Sequence, residues 1–239
     1  TIVGQAWYQQ TDTDGLAGND SAWGVRLLSP NQVGFKARIQ YTEIEENFFP
    51  ALGFVNRTGI KQSELTVGHT KRFRGGSRLR SIENFIAGVR VTDSQGNLES
   101  ESLKFSLAKV ENQFGDNVFL LYNDFREVLT RPFDIADGII IPVGDYNYQS
   151  YGAEVSTGNQ RQWSLTLHLE DGGFFSGDRK TVNIALSWRP NKYFAAELEY
   201  EYNDIDLPQG EFETQLLRLR TDIAFNPEWA WITTAQYDN

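Results

Sequence analysis

The chain has 239 residues, with 22 Lys and Arg against 32 Asp and Glu, and a net charge of −10. That balance excludes a nucleic-acid binder relying on a basic surface, and the absence of cysteine excludes disulfides, thiolate metal sites and cysteine nucleophiles. Aromatic residues reach 13% while mean hydropathy is only −0.46, a pairing that suits strands with one wet and one dry face better than a helical core.

The first candidate strand covers residues 2–10. Next, Trp23, Val25 and Leu27 lead through Ser29-Pro30-Asn31 into Phe35, Ala37, Ile39 and Tyr41, with Lys36, Arg38, Gln40 and Thr42 on the opposite face. Further strands are expected near residues 60–73, 79–92, 98–112, 117–127, 146–155 and 161–170. In the last of these, Trp163, Leu165, Leu167 and Leu169 alternate with Ser164, Thr166, His168 and Glu170. Val182, Ile184, Leu186 and Trp188 form another dry face. After Pro190-Asn191 the alternation resumes, with Phe194, Ala196, Leu198, Tyr200 and Tyr202 against Ala195, Glu197, Glu199, Glu201 and Asn203. Leu217, Leu219, Thr221, Ile223 and Phe225 then oppose Arg218, Arg220, Asp222 and Ala224. Asn226-Pro227 turns into a final dry face of Trp229, Trp231, Thr233, Ala235 and Tyr237.

This gives about 13 strands and no helix. No run approaches the roughly 20 apolar residues of a membrane helix, and no linker or composition shift divides residues 1–239, which read as a single domain. Tight turns are expected at Ser29-Pro30-Asn31, residues 74–77, 114–116 and 157–159, Pro190-Asn191 and Asn226-Pro227. Longer segments are expected at 11–20, 46–59, 129–145, 171–180 and 203–211, and only 93–97 is short where a long one is due. Tight turns at one end and long loops at the other imply an all-β, antiparallel up-and-down transmembrane β-barrel of the outer-membrane type. Such barrels have an even number of strands. An odd count, with a start at Thr1-Ile2-Val3 and no methionine, makes an incomplete barrel from a longer parent the expectation.

The side chains fit that architecture. Trp23, Tyr41, Trp163, Trp188, Tyr193, Tyr202, Trp229, Trp231 and Tyr237 fall near strand ends, where aromatic girdles meet lipid headgroups. Glu197, Glu199 and Glu201 on one strand and Arg218 and Arg220 on the next form a charge ladder on the wet face, which Lys36, Arg38, Lys104 and Glu170 share. Such a ladder either braces the wall or gives a charged lumen its selectivity.

Asp12, Asp14 and Asp20 gather oxygen atoms without completing a calcium-loop motif. His69 and His168 have no metal-like spacing, no phosphate loop precedes a helix, and the abundant carboxylates single out no catalytic pair. Neither a cofactor nor a catalytic residue is expected.

Several segments carry a family resemblance. They are FFPALGFVNR (residues 48–57), RPFDIADGIIIPVGDY (131–146), GGFFSGDRK (172–180) and SWRPNKYFAAELEYEYNDIDLPQGEFETQLLRLRTDIAFNP (187–227), with the later Gln236-Tyr237. From about Trp23 onward the chain resembles the C-terminal region of DUF5916 proteins. The resemblance implies an outer-membrane barrel preceded, in the parent, by a secretion signal and a domain similar to family 9 carbohydrate-binding modules. Members are often labelled hydrolases, but the resemblance transfers no catalytic residue to this region.

The expected role is therefore a bacterial outer-membrane channel, transporter or surface anchor. Its expected partners are outer-membrane lipid, lipopolysaccharide and a small solute or glycan, with no nucleic acid among them. The competing expectation is a soluble or periplasmic β-protein that binds or hydrolyses glycans, in which Leu217, Leu219, Trp229 and Trp231 would pack into a closed core.

Overall fold

The computed structural model describes residues 1–239 apart from Ala17 and Leu52. Leu52 belongs to the 48–57 segment and Ala17 to the segment expected as a loop at 11–20, so those two positions lie outside the described residues. Fifteen strands follow in chain order: β1 (Val3–Gln10), β2 (Ser21–Leu28), β3 (Gly34–Ile44), β4 (Ile60–Arg72), β5 (Leu79–Asp93), β6 (Leu98–Asn112), β7 (Asn117–Leu129), β8 (Phe133–Ala136), β9 (Ile139–Ile141), β10 (Gly144–Ser156), β11 (Trp163–Phe174), β12 (Gly177–Asn191), β13 (Phe194–Leu207), β14 (Gly210–Ala224) and β15 (Ala230–Asp238).

All but β8 and β9 form one 13-stranded antiparallel sheet in which neighbours in sequence are neighbours in space, with β7 pairing β10. The sheet matches the expected number of strands. Beyond it, β8 and β9 form a separate hairpin inside the segment expected as a loop at 129–145. The sheet is not closed, because β1 pairs only β2 and β15 pairs only β14. Both edge strands run in the same direction, from the end that holds the β2–β3 connection toward the opposite end.

Connections at the first end, the turn end, are residues 29–33, 73–78, 113–116, 157–162, 192–193 and 225–229. The opposite end, the loop end, carries 11–20, 45–59, 94–97, 130–143, 175–176 and 208–209. Two expected loops are thereby corrected. Residues 171–180 and 203–211 are mostly strand, since β11 turns into β12 at Phe175-Ser176 and β13 into β14 at Pro208-Gln209. These are tall hairpins, and the reason they escape the sequence pattern lies in the two faces of the sheet.

Residues paired across the ladder share a face, so the register assigns every side chain. One face carries Val25, Leu27, Ile39, Leu65, Val67, Ile86, Phe105, Leu120, Leu167, Ile184, Leu198 and Leu219. The other carries Arg26, Arg38, Glu64, Thr66, Lys104, Asn123, His168, Asn183, Glu199 and Arg218. The apolar stretch on β13, residues 194–202, covers about 27 Å at about 3.4 Å per residue. Tilted by about 40°, it rises about 21 Å, close to the apolar band of about 25 Å on an outer-membrane barrel.

Toward the loop end the phase reverses while the period of two persists. On β13 and β14 the formerly apolar face now shows Asp204, Asp206, Glu211 and Glu213, and the formerly polar face shows Ile205, Leu207 and Phe212. A segment that keeps its alternation but exchanges its faces looks like the end of a strand to any reading that follows one face.

One ladder row displays the tilt directly. It runs Ala37, Val67, Ile86, Phe105, Tyr122, Tyr151, Asp171, Lys180, Asp204, Glu213 from β3 to β14, passing from aliphatic through aromatic to charged residues. The apolar band therefore crosses the hydrogen-bonded rows obliquely, as tilted strands require.

Candidate functional site

The candidate site is the polar face and the mouth above it. Strands place the charges in rows, because every second residue of β3, β13 and β14 projects to this side. Glu197 lies opposite Arg220 and Glu199 opposite Arg218, whereas Glu201 faces Leu216. Arg218 donates a hydrogen bond to Glu199. Arg220 turns along its own strand to Asp222 at 3.2 Å, away from Glu197. Of the expected rungs, one is an ion pair between strands.

Lys36 pairs with Glu83 at 2.7 Å and Arg38 with Glu64 at 3.1 Å. Lys104 and Glu170 share the same face. His168 sits between two carboxylates, its Nε2 3.4 Å from Glu170 and its Nδ1 3.9 Å from Glu154. Glu170 also accepts a hydrogen bond from Ser150 Oγ at 2.7 Å, and Asn123 Nδ2 donates to that same Oγ at 3.1 Å. A cleft on this wall is lined by Glu154, His168, Asn183, Glu199 and Glu201.

The aromatic residues gather at two levels of the apolar face. Near the turn end, Trp163 stacks on Trp188 with ring centroids 5.1 Å apart, Trp188 meets Phe194 at 5.4 Å, and Tyr193, Trp229 and Trp231 complete the group. Nearer the loop end lie Trp23 and Tyr41, 5.2 Å apart, with Tyr202 and Tyr237. Tyr122 and Tyr151, 5.2 Å apart, join this second level. Leu217, Leu219, Trp229 and Trp231 are 41%, 43%, 67% and 62% exposed. They are not packed into a closed core, and they share their face with other exposed apolar residues such as Leu65, Ile86, Leu165 and Leu198.

At the loop end the β8–β9 hairpin folds onto the polar side of the tall hairpins. Its Ile139 and Ile141 form a buried cluster with Ile205 and Leu207, and Leu129, Ile135, Ala136, Tyr146, Phe174, Phe175 and Phe212 pack around it. Ile141 is 0% exposed. Gly210 lies beneath the hairpin. With φ +150 it holds a backbone conformation that side chains disfavour, and a Cβ there would sit 3.1 Å from Ile139. Sequence reasoning missed this contact. Its available signal was the run Ile139-Ile140-Ile141 between Gly138 and Pro142, the strongest aliphatic run of the chain, placed in an expected loop.

At the turn end, Asp116 ties two connections together. It accepts hydrogen bonds from Arg161, from Asn112 Nδ2 and from the Gly158 amide, the last two at 2.9 Å. The Arg161 guanidinium foremost, followed by Asn112 and Gly158, holds the Asp116 carboxyl well below the usual carboxylate range. In the segment before β4, hydrogen bonds from the Ser21 hydroxyl and amide lower the pKa of Glu45.

Asp20 Oδ1 accepts from Gln10 at 3.1 Å. Among the described residues, no group of three or more His, Asp or Glu is placed to hold a metal ion, so Asp12, Asp14 and Asp20 do not assemble the weak calcium candidate.

No family model matches the chain, and no curated protein matches it. Among solved structures it is similar to one described as outer-membrane expressed OmpT of Vibrio cholerae, at 9% identity and a TM-score of 0.45, over 100% of this chain and 85% of that one.

Proposed function

We propose that the chain forms the wall of a bacterial outer-membrane β-barrel that passes small solutes through a polar lumen. The observation that carries this reading is the reversal of face polarity on β13 and β14. Below it, the apolar residues face outward and the charged residues inward, as lipid outside and water inside require. Above it, outward carboxylates and an inward apolar cluster suit a wall that has left the bilayer. Two levels of Trp and Tyr bound the apolar band where headgroups lie.

The turn end faces the periplasm and the loop end the exterior, because the loop end carries the three longest connections, 11–20, 45–59 and 130–143, and outer loops are the longer ones in such barrels. The β8–β9 hairpin then narrows the external mouth. Outer-membrane lipid and lipopolysaccharide surround the band, and a small solute or glycan is the cargo. The resemblance to DUF5916 proteins adds a second use, in which the barrel anchors a carbohydrate-binding domain at the surface. The barrel wall itself is given no catalytic task.

The test is to fold the full chain in detergent and insert it into lipid vesicles. Heat-modifiable migration on gels and solute-dependent vesicle swelling are expected. Quantitative partition of the folded protein into water without detergent would remove this reading.

A further inference from the structure

Charge on the polar face is divided between two walls. Within the level of the apolar band, β2–β6 carry Arg26, Lys36, Arg38, Lys104 and Lys109 against Glu64 and Glu83. Strands β10–β14 carry Glu154, Glu170, Glu197, Glu199, Glu201 and Asp222 against Arg218 and Arg220. Between the walls, β7 presents only Asn117, Phe119, Leu121 and Asn123. The two edge strands are uncharged at this level as well, with Gln5 and Gln9 on β1 and Thr234 and Gln236 on β15.

Local pairing leaves the division in place. Lys36 and Arg38 are matched by Glu83 and Glu64, Glu199 and Asp222 by Arg218 and Arg220, and Glu170 by Arg179 from the mouth at 3.7 Å. Among the described residues, Arg26, Lys104 and Lys109 on one wall and Glu197 and Glu201 on the other make no ion pair. Glu154 meets only His168. Each wall thus keeps a surplus of one sign, and neutral strips separate the two.

We propose that this wall pair selects small zwitterions, solutes that carry an ammonium-type and a carboxylate-type group, over neutral or singly charged solutes of equal size. The inference rests on the channel reading above. In a tube closed from this sheet the surplus charges face one another, and low-dielectric walls focus the field between them across the lumen. A zwitterion lowers its energy by aligning with that field. A lone anion or cation is attracted by one wall and repelled by the other, and a neutral solute gains nothing.

The experiment measures swelling of vesicles containing the full chain with glycylglycine, a neutral sugar alcohol of similar size, a monocarboxylate and an alkylammonium salt. At low ionic strength the zwitterion is expected to enter roughly tenfold faster than the neutral solute, the lower end of electrostatic enhancement. Near 1 M salt, where screening acts within about 3 Å, the advantage should shrink toward parity. The double variant Lys104→Glu, Lys109→Glu makes both walls acidic, so the zwitterion preference should give way to a preference for the alkylammonium ion. Should that variant fail to fold, Glu197→Gln with Glu201→Gln reads the opposite wall and should erase most of the preference. Equal entry of zwitterion and neutral solute through a working pore overturns the proposal alone. A folded, inserted chain that passes none of the four solutes overturns the channel reading together with it.

Discussion

The band and the mouth use the same strands in opposite ways. Along β14, Leu217 and Leu219 lie on one face within the band, and Glu211 and Glu213 lie on that same face at the mouth. Across the strand, Arg218 and Arg220 give way to Phe212. In the proposed barrel, the solvent for the outer face of the band is hydrocarbon, and stability requires that charges stay inside. At the mouth of that barrel water lies on the outside, and the buried cluster of the β8–β9 hairpin with β13 is built on the opposite side. The contrast teaches that burial does not locate the inside of this wall. Among the described residues the most enclosed side chain, Ile141, belongs to the mouth.

The sharpest way to break the comparison is a pair of substitutions on one face of one strand. Leu219→Arg, in the band, is expected to cost about 2–4 kcal/mol when folding is titrated in bilayers. Glu213→Arg, on the same face at the mouth, should stay within about 0.5 kcal/mol. Equal costs would mean that no hydrocarbon boundary lies between them.

Ile141→Ala probes the β8–β9 hairpin. Removing a fully buried Ile side chain costs about 2–5 kcal/mol where it packs, but here the loss should fall on hairpin docking. Faster proteolysis within residues 130–143 and a higher single-channel conductance are expected, with the sheet still folded. Loss of the whole sheet would show that the cluster supports the wall and does not merely cap it.

A smaller effect is expected from acid at the turn end. The Asp116 pKa is depressed by Arg161, so the stabilisation of this clasp is present above the ordinary carboxylate value. It is lost only as pH falls toward the lower folded value. Hydrogen exchange at the Gly158 amide should stay protected at pH 4 and rise in stronger acid, whereas Asp116→Asn should expose it at neutral pH. A modest effect is also expected from Glu199→Gln, which removes one partly exposed ion pair and should change stability by about 0.2–1 kcal/mol in denaturant titration.

Much of the band was legible in the sequence, because a sheet with one apolar and one polar face forces a strict alternation. The faces of β2, β3 and β11–β15 follow from it, and so does the placement of tight turns at one end. The mouth was not legible in this way. Residues 203–213 keep the strand period but exchange faces, and Gly172-Gly173 and Pro208-Gln209-Gly210 carry the composition of loops, so both hairpin tips read as loops. The charge ladder was half legible. The facing of Glu199 and Arg218 follows from strand pairing, but side-chain reach decides that Arg220 prefers Asp222 to Glu197. The division of charge into two walls needed the register of the entire sheet.

The row from Ala37 to Glu213 has a practical consequence. Because the band crosses it obliquely, the row is a ramp and not a ring, and each step to the next strand is also a step in height. In the proposed barrel, reporter groups placed in turn at Ala37, Val67, Ile86, Phe105, Tyr122 and Tyr151 would sample the bilayer from its interior to its outer surface. One hydrogen-bonded row thus serves as a ruler of depth, graduated by the protein's own strand spacing.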